Sequence, residues 1–185
     1  VRYVGVGAMV LGGLYTLWSM RKTIITGISK AIRTKSSTDE DLLRTEIDLP
    51  MNKVFIFCGI LVVLTILFYW SKTGSLILAL AGGLFLAVTA FFFAAVAGYI
   101  AGVVGSSNSP VSGMTIATLL FTVVLVLVIG DGLLNLDTST LMLATVLIAS
   151  IVASSAAIAG DVMQDLKTGH MVGATPRVQQ IAEII

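Results

Sequence analysis

Apolar residues run along this chain in long blocks, not in alternation and not as stripes at helical spacing. Five blocks are long enough to cross a bilayer: about Tyr3 to Met20, Val54 to Trp70, Ser75 to Val104, Met114 to Gly130 and Thr140 to Gly160. Each is bounded by charge, by proline or by a polar cluster. A hydrocarbon core about 30 Å thick is crossed by roughly 17 to 25 apolar residues in a helix. Within lipid every backbone N–H and C=O must be satisfied inside its own segment, so the blocks predict five transmembrane helices. The third block is longer than one crossing needs. It predicts a tilted helix, a kink near Gly82 and Gly83, or a segment only partly within the membrane.

Composition supports that reading. Hydrophobic residues make up 57% of the 185 residues and charged residues 11%, where a soluble domain carries about 25% charge. The expected fold class is therefore an all-α polytopic integral membrane protein, with residues 1–185 forming a single transmembrane region. The formal net charge of +1 says little, but its distribution says more. Arg21, Lys22, Lys30, Arg33, Lys35, Arg44 and Lys53 lie between the first two blocks, while GDGLLNLDTS, after the fourth, holds Asp131 and Asp137 and no basic residue. The positive-inside rule makes the 21–53 connector a cytoplasmic loop. Threading five spans from it puts 131–139 outside and the tail, with Lys167 and Arg177, inside; only Arg2 and Lys72 fall on the outer face. Within the connector, STDEDLL reads as a helix start capped by Ser37 or Thr38. Regulation and anionic-lipid binding are open to this loop, but a solvated connector that sets topology is the simpler reading. Val1 and Arg2 lead straight into YVGVGAMVLGG without a signal-peptide pattern, so the chain is expected to be part of a longer polypeptide.

One stretch departs from its surroundings. Between the third and fourth blocks the apolar run dissolves into GSSNSPVSG, residues 105 to 113. Pro110 removes a backbone donor, and Gly105 and Gly113 permit turn conformations, so a short non-helical loop is expected. Helical backbone is interrupted at membrane depth only where protein or a water-filled cavity surrounds it. Ser106, Ser107, Asn108, Ser109 and Ser112 offer donors and acceptors and no charge, which suits a neutral or zwitterionic solute; the amides that start the next helix suit a carboxylate. An ordinary turn between two spans satisfies the same residues. The approach to the loop carries small residues three or four apart, at Ala94, Ala97, Gly98, Ala101, Gly102 and Gly105. Such a face lets helices pack closely and predicts burial in a bundle.

A second polar cluster follows the fifth block. Asp161 and Asp165 lie four apart, on one face if the helix continues, and Lys167 is within reach of a carboxylate. Carboxylates beside a membrane cavity can carry a coupling proton or hold a gate. The alternative is a charged helix end stopped by Gly169. His170 could join a proton relay, but a plain surface histidine is the simpler reading. The lone Cys58 excludes a disulfide framework and a cysteine-built metal site. GVGAMVLGG at 5–13 lacks the strand–turn–helix setting of a dinucleotide loop, and its glycines read as helix-packing positions. No Ser/His/Asp arrangement is implied, so no enzyme is expected; nor is any cofactor, metal or nucleic-acid partner.

Three separated strings, RYVGVGAMVLGGLYTL at 2–17, YIAGVVGSSNSPVSGMT at 99–115 and AGDVMQDLKTGHMVGATP at 159–176, together resemble the oligopeptide transporter family, in particular its bacterial members related to the yellow stripe-like metal-chelate transporters. The family's serine-rich stretch ends in asparagine, proline, a branched apolar residue, serine and glycine. Here Ser109 separates Asn108 from Pro110, and either Asn108 or Ser109 takes the family asparagine's place. The resemblance implies a secondary active, proton-coupled transporter in the bacterial cytoplasmic (inner) membrane, moving small peptides or peptide-like chelates inward. It also implies repeated halves, so that the remaining helices of the full-length transporter complete the solute cavity. On that reading Gly105, Ser106, Ser107, Asn108, Ser109, Pro110, Ser112 and Gly113 line the solute path, and Asp161 or Asp165 carries the proton or pairs with Lys167 at a gate. A passive channel or a structural membrane subunit is the competing class, with a membrane-embedded enzyme behind it.

Overall fold

The computed structural model describes residues 43–105, 107, 109 and 111–184, together with 4–5, 7–8, 11–12, 15, 18–19 and 21–22. The described positions between 4 and 22 are helical, and the rest of the first expected span lies outside the described residues. So does the helix start expected at Ser37 or Thr38.

Four long apolar helices follow: α1 (Met51–Thr73), α2 (Leu76–Val104), α3 (Val111–Val126), carried on by a π-helical turn over Leu127–Asp131, and α4 (Thr138–Met171). A short α5 (Pro176–Ile184) follows. Each of the four long segments is long and apolar enough to cross a membrane, and no strand is present among the described residues. The protein is an all-α polytopic membrane protein.

The ends of these helices follow from local chemistry. Pro50 precedes the first turn of α1, and Gly74, with φ +68°, closes it by donating its N–H to the Trp70 carbonyl. Ser75 caps α2 by accepting from the Leu78 N–H, and Asp137 caps α4 by accepting from the Thr140 N–H. The second to fifth expected spans are recovered within a few residues, except that the last runs past Gly160 to Met171. Gly169 does not stop it. Gly169 instead lies buried where the side chain of Gln179, on α5, presses close enough that a methyl group there would overlap it. The helix turns only at Gly173, where φ is +77°.

The bundle is organised around α2 and α4, which share the most extensive interface, with α3 against α4 and α1 against α2. Lipid tails are as apolar as leucine, so close packing of small residues and shape must hold such helices together. At one end Leu141 packs so tightly on Gly130 that a side chain there would overlap it. About one turn further along α2 from Leu78, which also meets Gly130, a methyl group on Gly82 would lie 2.9 Å from the Tyr69 ring, and one on Gly83 would overlap Ile66. At the other end Gly98 faces the Ala159 carbonyl, Gly102 faces Met163, and Gly160 faces Ala101. The small-residue face expected on the approach to the polar stretch is thus buried: Ala97 and Ala101 are at most 2% exposed. Helix α2 runs unbroken through Gly82 and Gly83; these glycines admit neighbouring side chains, and α2 extends beyond a single bilayer crossing at about 43 Å for its 29 residues. In contrast, α1 keeps most of its apolar side chains on the outside, among them Phe55, Ile60, Leu64 and Phe68.

Because the helices alternate in direction, the end of α2, the start of α3, the segment before α1 and α5 all lie at one end of the bundle. The 74–75 turn and the 131–137 loop lie at the other. The 21 residues from Val111 to Asp131 rise about 31 Å, close to the hydrocarbon thickness. The start of α3 therefore lies about one hydrocarbon thickness from the 131–137 loop.

Candidate functional site

The polar stretch is shorter as a loop than the sequence suggests. Helix α2 ends at Val104, α3 begins at Val111, and Ser112 and Gly113 already belong to its first turn. Gly105 takes φ +110° and ψ 155°, a region open in practice only to glycine; nothing lies within 4 Å of where its side chain would start. Backbone conformation and not crowding is what requires glycine there. Ser107 and Ser112 are exposed, Gly113 is buried, and Ser106, Asn108 and Pro110 lie outside the described residues. The Ser109 hydroxyl is buried and makes no hydrogen bond. A buried hydroxyl is normally satisfied, so this one offers both a donor and an acceptor. Beside it lie the first-turn N–H groups of α3, which have no partner within that helix.

Lys167 joins this break to α4. Its ammonium donates to the Gly102 carbonyl at 2.5 Å, in the last turn of α2 and three residues before Gly105. A cation at a helix C-terminus satisfies free carbonyls and complements the helix dipole. The small residues at Gly98, Ala101, Gly102 and Gly160 explain how a side chain from α4 reaches that backbone: they bring the two helices close at this level. Asp161 and Asp165 lie six and two residues before Lys167 and are exposed, as is His170 on the last turn.

Sequence reasoning missed a further carboxylate. After Gly173 the chain doubles back and α5 packs along the end of α4. Gln179 Nε2 donates to the Asp165 carbonyl at 3.3 Å, and Glu183 lies near the Asp165 carboxyl. Partial desolvation and the neighbouring Asp165 and Asp161 carboxyls hold Glu183 above the usual carboxylate range. The same helix grips the approach to α1. Arg177 N–H donates to the Ile47 carbonyl at 2.9 Å, Gln180 Nε2 donates to Asp48 Oδ1 at 3.0 Å, and Gln180 Oε1 accepts from the Leu49 N–H at 2.8 Å. Arg44 Nη2 donates to the Gly173 carbonyl at 2.7 Å. No local pattern announces these pairings, which join residues up to 132 positions apart; the GATP turn at 173–176 was the available sign that the chain reverses.

At one end of the bundle the fold thus gathers a polar interruption with an unsatisfied hydroxyl, a lysine bound to the adjoining helix end, and three neighbouring carboxylates. A Haemophilus influenzae protein named "Putative oligopeptide transporter" is 35% identical over 198 aligned positions, which cover 100% of this chain and 31% of the relative. A Saccharomyces cerevisiae protein similarly named is 52% identical over 44 residues, covering 24% of this chain and 6% of its own length. The chain spans about a third of the Haemophilus relative. No solved structure matches it. The family model for the OPT oligopeptide transporter protein matches residues 1–185, and with every residue inside that match the chain belongs to the OPT oligopeptide transporter family.

Proposed function

We propose that this chain forms part of the solute path of a secondary active transporter, which takes up small oligopeptides or peptide-like metal chelates across the bacterial cytoplasmic membrane with protons as the coupling ion. The observation that carries the reading is the Ser109 hydroxyl, buried without a partner between the end of α2 and the first-turn amides of α3. A peptide presents amide groups for such a hydroxyl and a carboxylate for a helix N-terminus. Both relatives carry the name of oligopeptide transporters, which favours a peptide over other zwitterions.

Gly105, Ser106, Ser107, Asn108, Ser109, Pro110, Ser112 and Gly113 form the inner mouth of the path on this reading. Gly105 sets its backbone, and the hydroxyls and amide hold the solute. Asp161 and Asp165 take the coupling proton, because carboxylates at the edge of the membrane exchange protons with water and sense the neighbouring charge. Lys167 transmits their state. Its bond to Gly102 ties the acid-bearing helix to the backbone that leads into the break, so a change of charge on α4 alters the hold on that backbone. The remaining helices of the longer protein complete the cavity.

The Asp161→Asn, Asp165→Asn double variant of the full-length protein tests the assignment. Peptide uptake by cells should lose its dependence on the proton gradient while membrane insertion is unchanged. Uptake that stays intact and gradient-dependent in the double variant overturns the role given to these carboxylates.

A further inference from the structure

Two hydroxyls lie inside the bundle, away from both the polar break and the carboxylates. Tyr69, on α1, is 2% exposed and Thr122, on α3, 0%, and neither hydroxyl makes a hydrogen bond. A hydroxyl taken out of water without a partner is costly, most of all among apolar side chains with no solvent in reach. Thr122 is the clearer exception. Thr73, Thr89, Thr115, Thr118 and Thr145 each donate their hydroxyl to the carbonyl four residues back in their own helix, the usual resort of a helical threonine. Thr122 does not, and keeps both a donor and an acceptor unused.

The two residues belong to one layer of the interior. Leu141 of α4 packs on Gly130, and from that contact Thr122 and Ile148 lie eight and seven residues further into the bundle, along the α3 segment and along α4. At 1.5 Å a residue both are about 11–12 Å in, at about the same depth. Ile148 and the Tyr69 ring meet at Gly82, where a methyl group would lie 3.1 Å from Ile148 Cδ1 and 2.9 Å from the ring. Gly82 thus admits the ring and leaves the α2 backbone beside it without a side chain to cover it. The surrounding core is apolar, with Ala79, Val126, Ala144 and Val152 among its members. Among the described residues the buried side chains include threonines but none that is charged.

We propose that this layer is an internal hydration site, in which the Tyr69 and Thr122 hydroxyls each hold a water molecule. The ligand is neutral, because no buried charge is present to balance an ion. It both donates and accepts, as each hydroxyl does, and it is small, because contacts at Gly82 are already closer than a methyl group allows. A buried water makes about three hydrogen bonds. One goes to the hydroxyl, and helix carbonyls take others, since each keeps a second lone pair beyond its helical bond. The backbone left uncovered at Gly82 supplies such acceptors beside Tyr69. Water held there gives α1 and α3 directional bonds in a layer where apolar packing supplies none. The site requires neither a particular solute nor proton coupling.

Hydroxyl-radical footprinting of the full-length protein in detergent micelles tests the site. A brief X-ray pulse generates radicals from water wherever water is held, and they mark the neighbouring side chain before diffusing away. Tyr69 should be modified several-fold faster than Phe93, an aromatic residue of α2 that is likewise buried, at 6% exposed, and has no polar group in its side chain. A Tyr69 rate no higher than that of Phe93 overturns the water at Tyr69. Tyr69→Phe and Thr122→Val keep the shape of the side chain and remove the hydroxyl, so unfolding midpoints in denaturing detergent give a second readout. A hydroxyl bonded to water stabilises the fold, and each variant should then unfold earlier than the parent. A hydroxyl without a partner destabilises it, and its removal delays unfolding. An unchanged or later midpoint in Tyr69→Phe overturns the water at Tyr69, and the same result in Thr122→Val overturns the one at Thr122.

Discussion

At the scale of single residues, this protein uses absence of a side chain as a structural element. Gly83 is the sharpest case, because a methyl group there would overlap Cγ1 of Ile66 on the neighbouring helix, an atom too near its own backbone to move aside. Gly83→Val should destabilise the α1–α2 pair by about 1–3 kcal/mol, the usual cost of overpacking. Titration of the purified protein with denaturing detergent would show it as an earlier midpoint, and adding Ile66→Ala should recover part of the loss. A Gly83→Val protein as stable as the parent would show that the two helices do not meet as described. The sequence revealed these glycines without their purpose. Gly82 and Gly83 read as a possible kink, whereas they admit Tyr69 and Ile66 into an unbroken helix. Which role a helical glycine plays is decided by the partner opposite it, and that partner lies outside the local pattern.

At the scale of elements, helix existence was legible and helix ends were legible where a cap marks them. Asp137 before Thr138 is such a signal. Its carboxylate accepts from the Ser139 hydroxyl, from the Thr140 hydroxyl at 2.6 Å and from the Thr140 N–H at 3.2 Å. These bonds, that from Ser139 first, lower its pKa from 3.8 to about 2. A depressed carboxyl contributes to holding the helix start above its ordinary value, and the contribution is lost as pH falls through the lowered one. Amide exchange over 138–142 should therefore stay slow from neutral pH down to about 4 and quicken, beyond the intrinsic trend, as pH approaches about 2. Asp137→Ala should exchange fast throughout, and slow exchange in that variant would contradict the cap. The far end of α4 carried no comparable mark. Hydropathy ended the span at Gly160, but Asp161 to Met171 continues as helix because Lys167 binds α2 and α5 covers the last turns. Those are tertiary contacts, invisible to any window along the chain. The same reason hid Glu183 from the candidate site while leaving Asp161 and Asp165 in view.

At the scale of the whole molecule, apolar length, basic connector and polar break were sufficient to anticipate a polytopic helical membrane protein, and the match over residues 1–185 places it in the OPT family. Helix α1 leaves Phe55, Ile60, Leu64 and Phe68 outward, available to lipid or to a partner helix. The central claim is that the interruption after α2 and the carboxylates beside it belong to a proton-driven path for peptides. It is tested most directly by accumulation of labelled di- to hexapeptides in proteoliposomes containing the full-length protein, with a proton gradient imposed and then collapsed. The account predicts internal peptide rising above the external concentration only while the gradient stands. Equilibration to the external level regardless of the gradient would indicate a passive channel and contradict it.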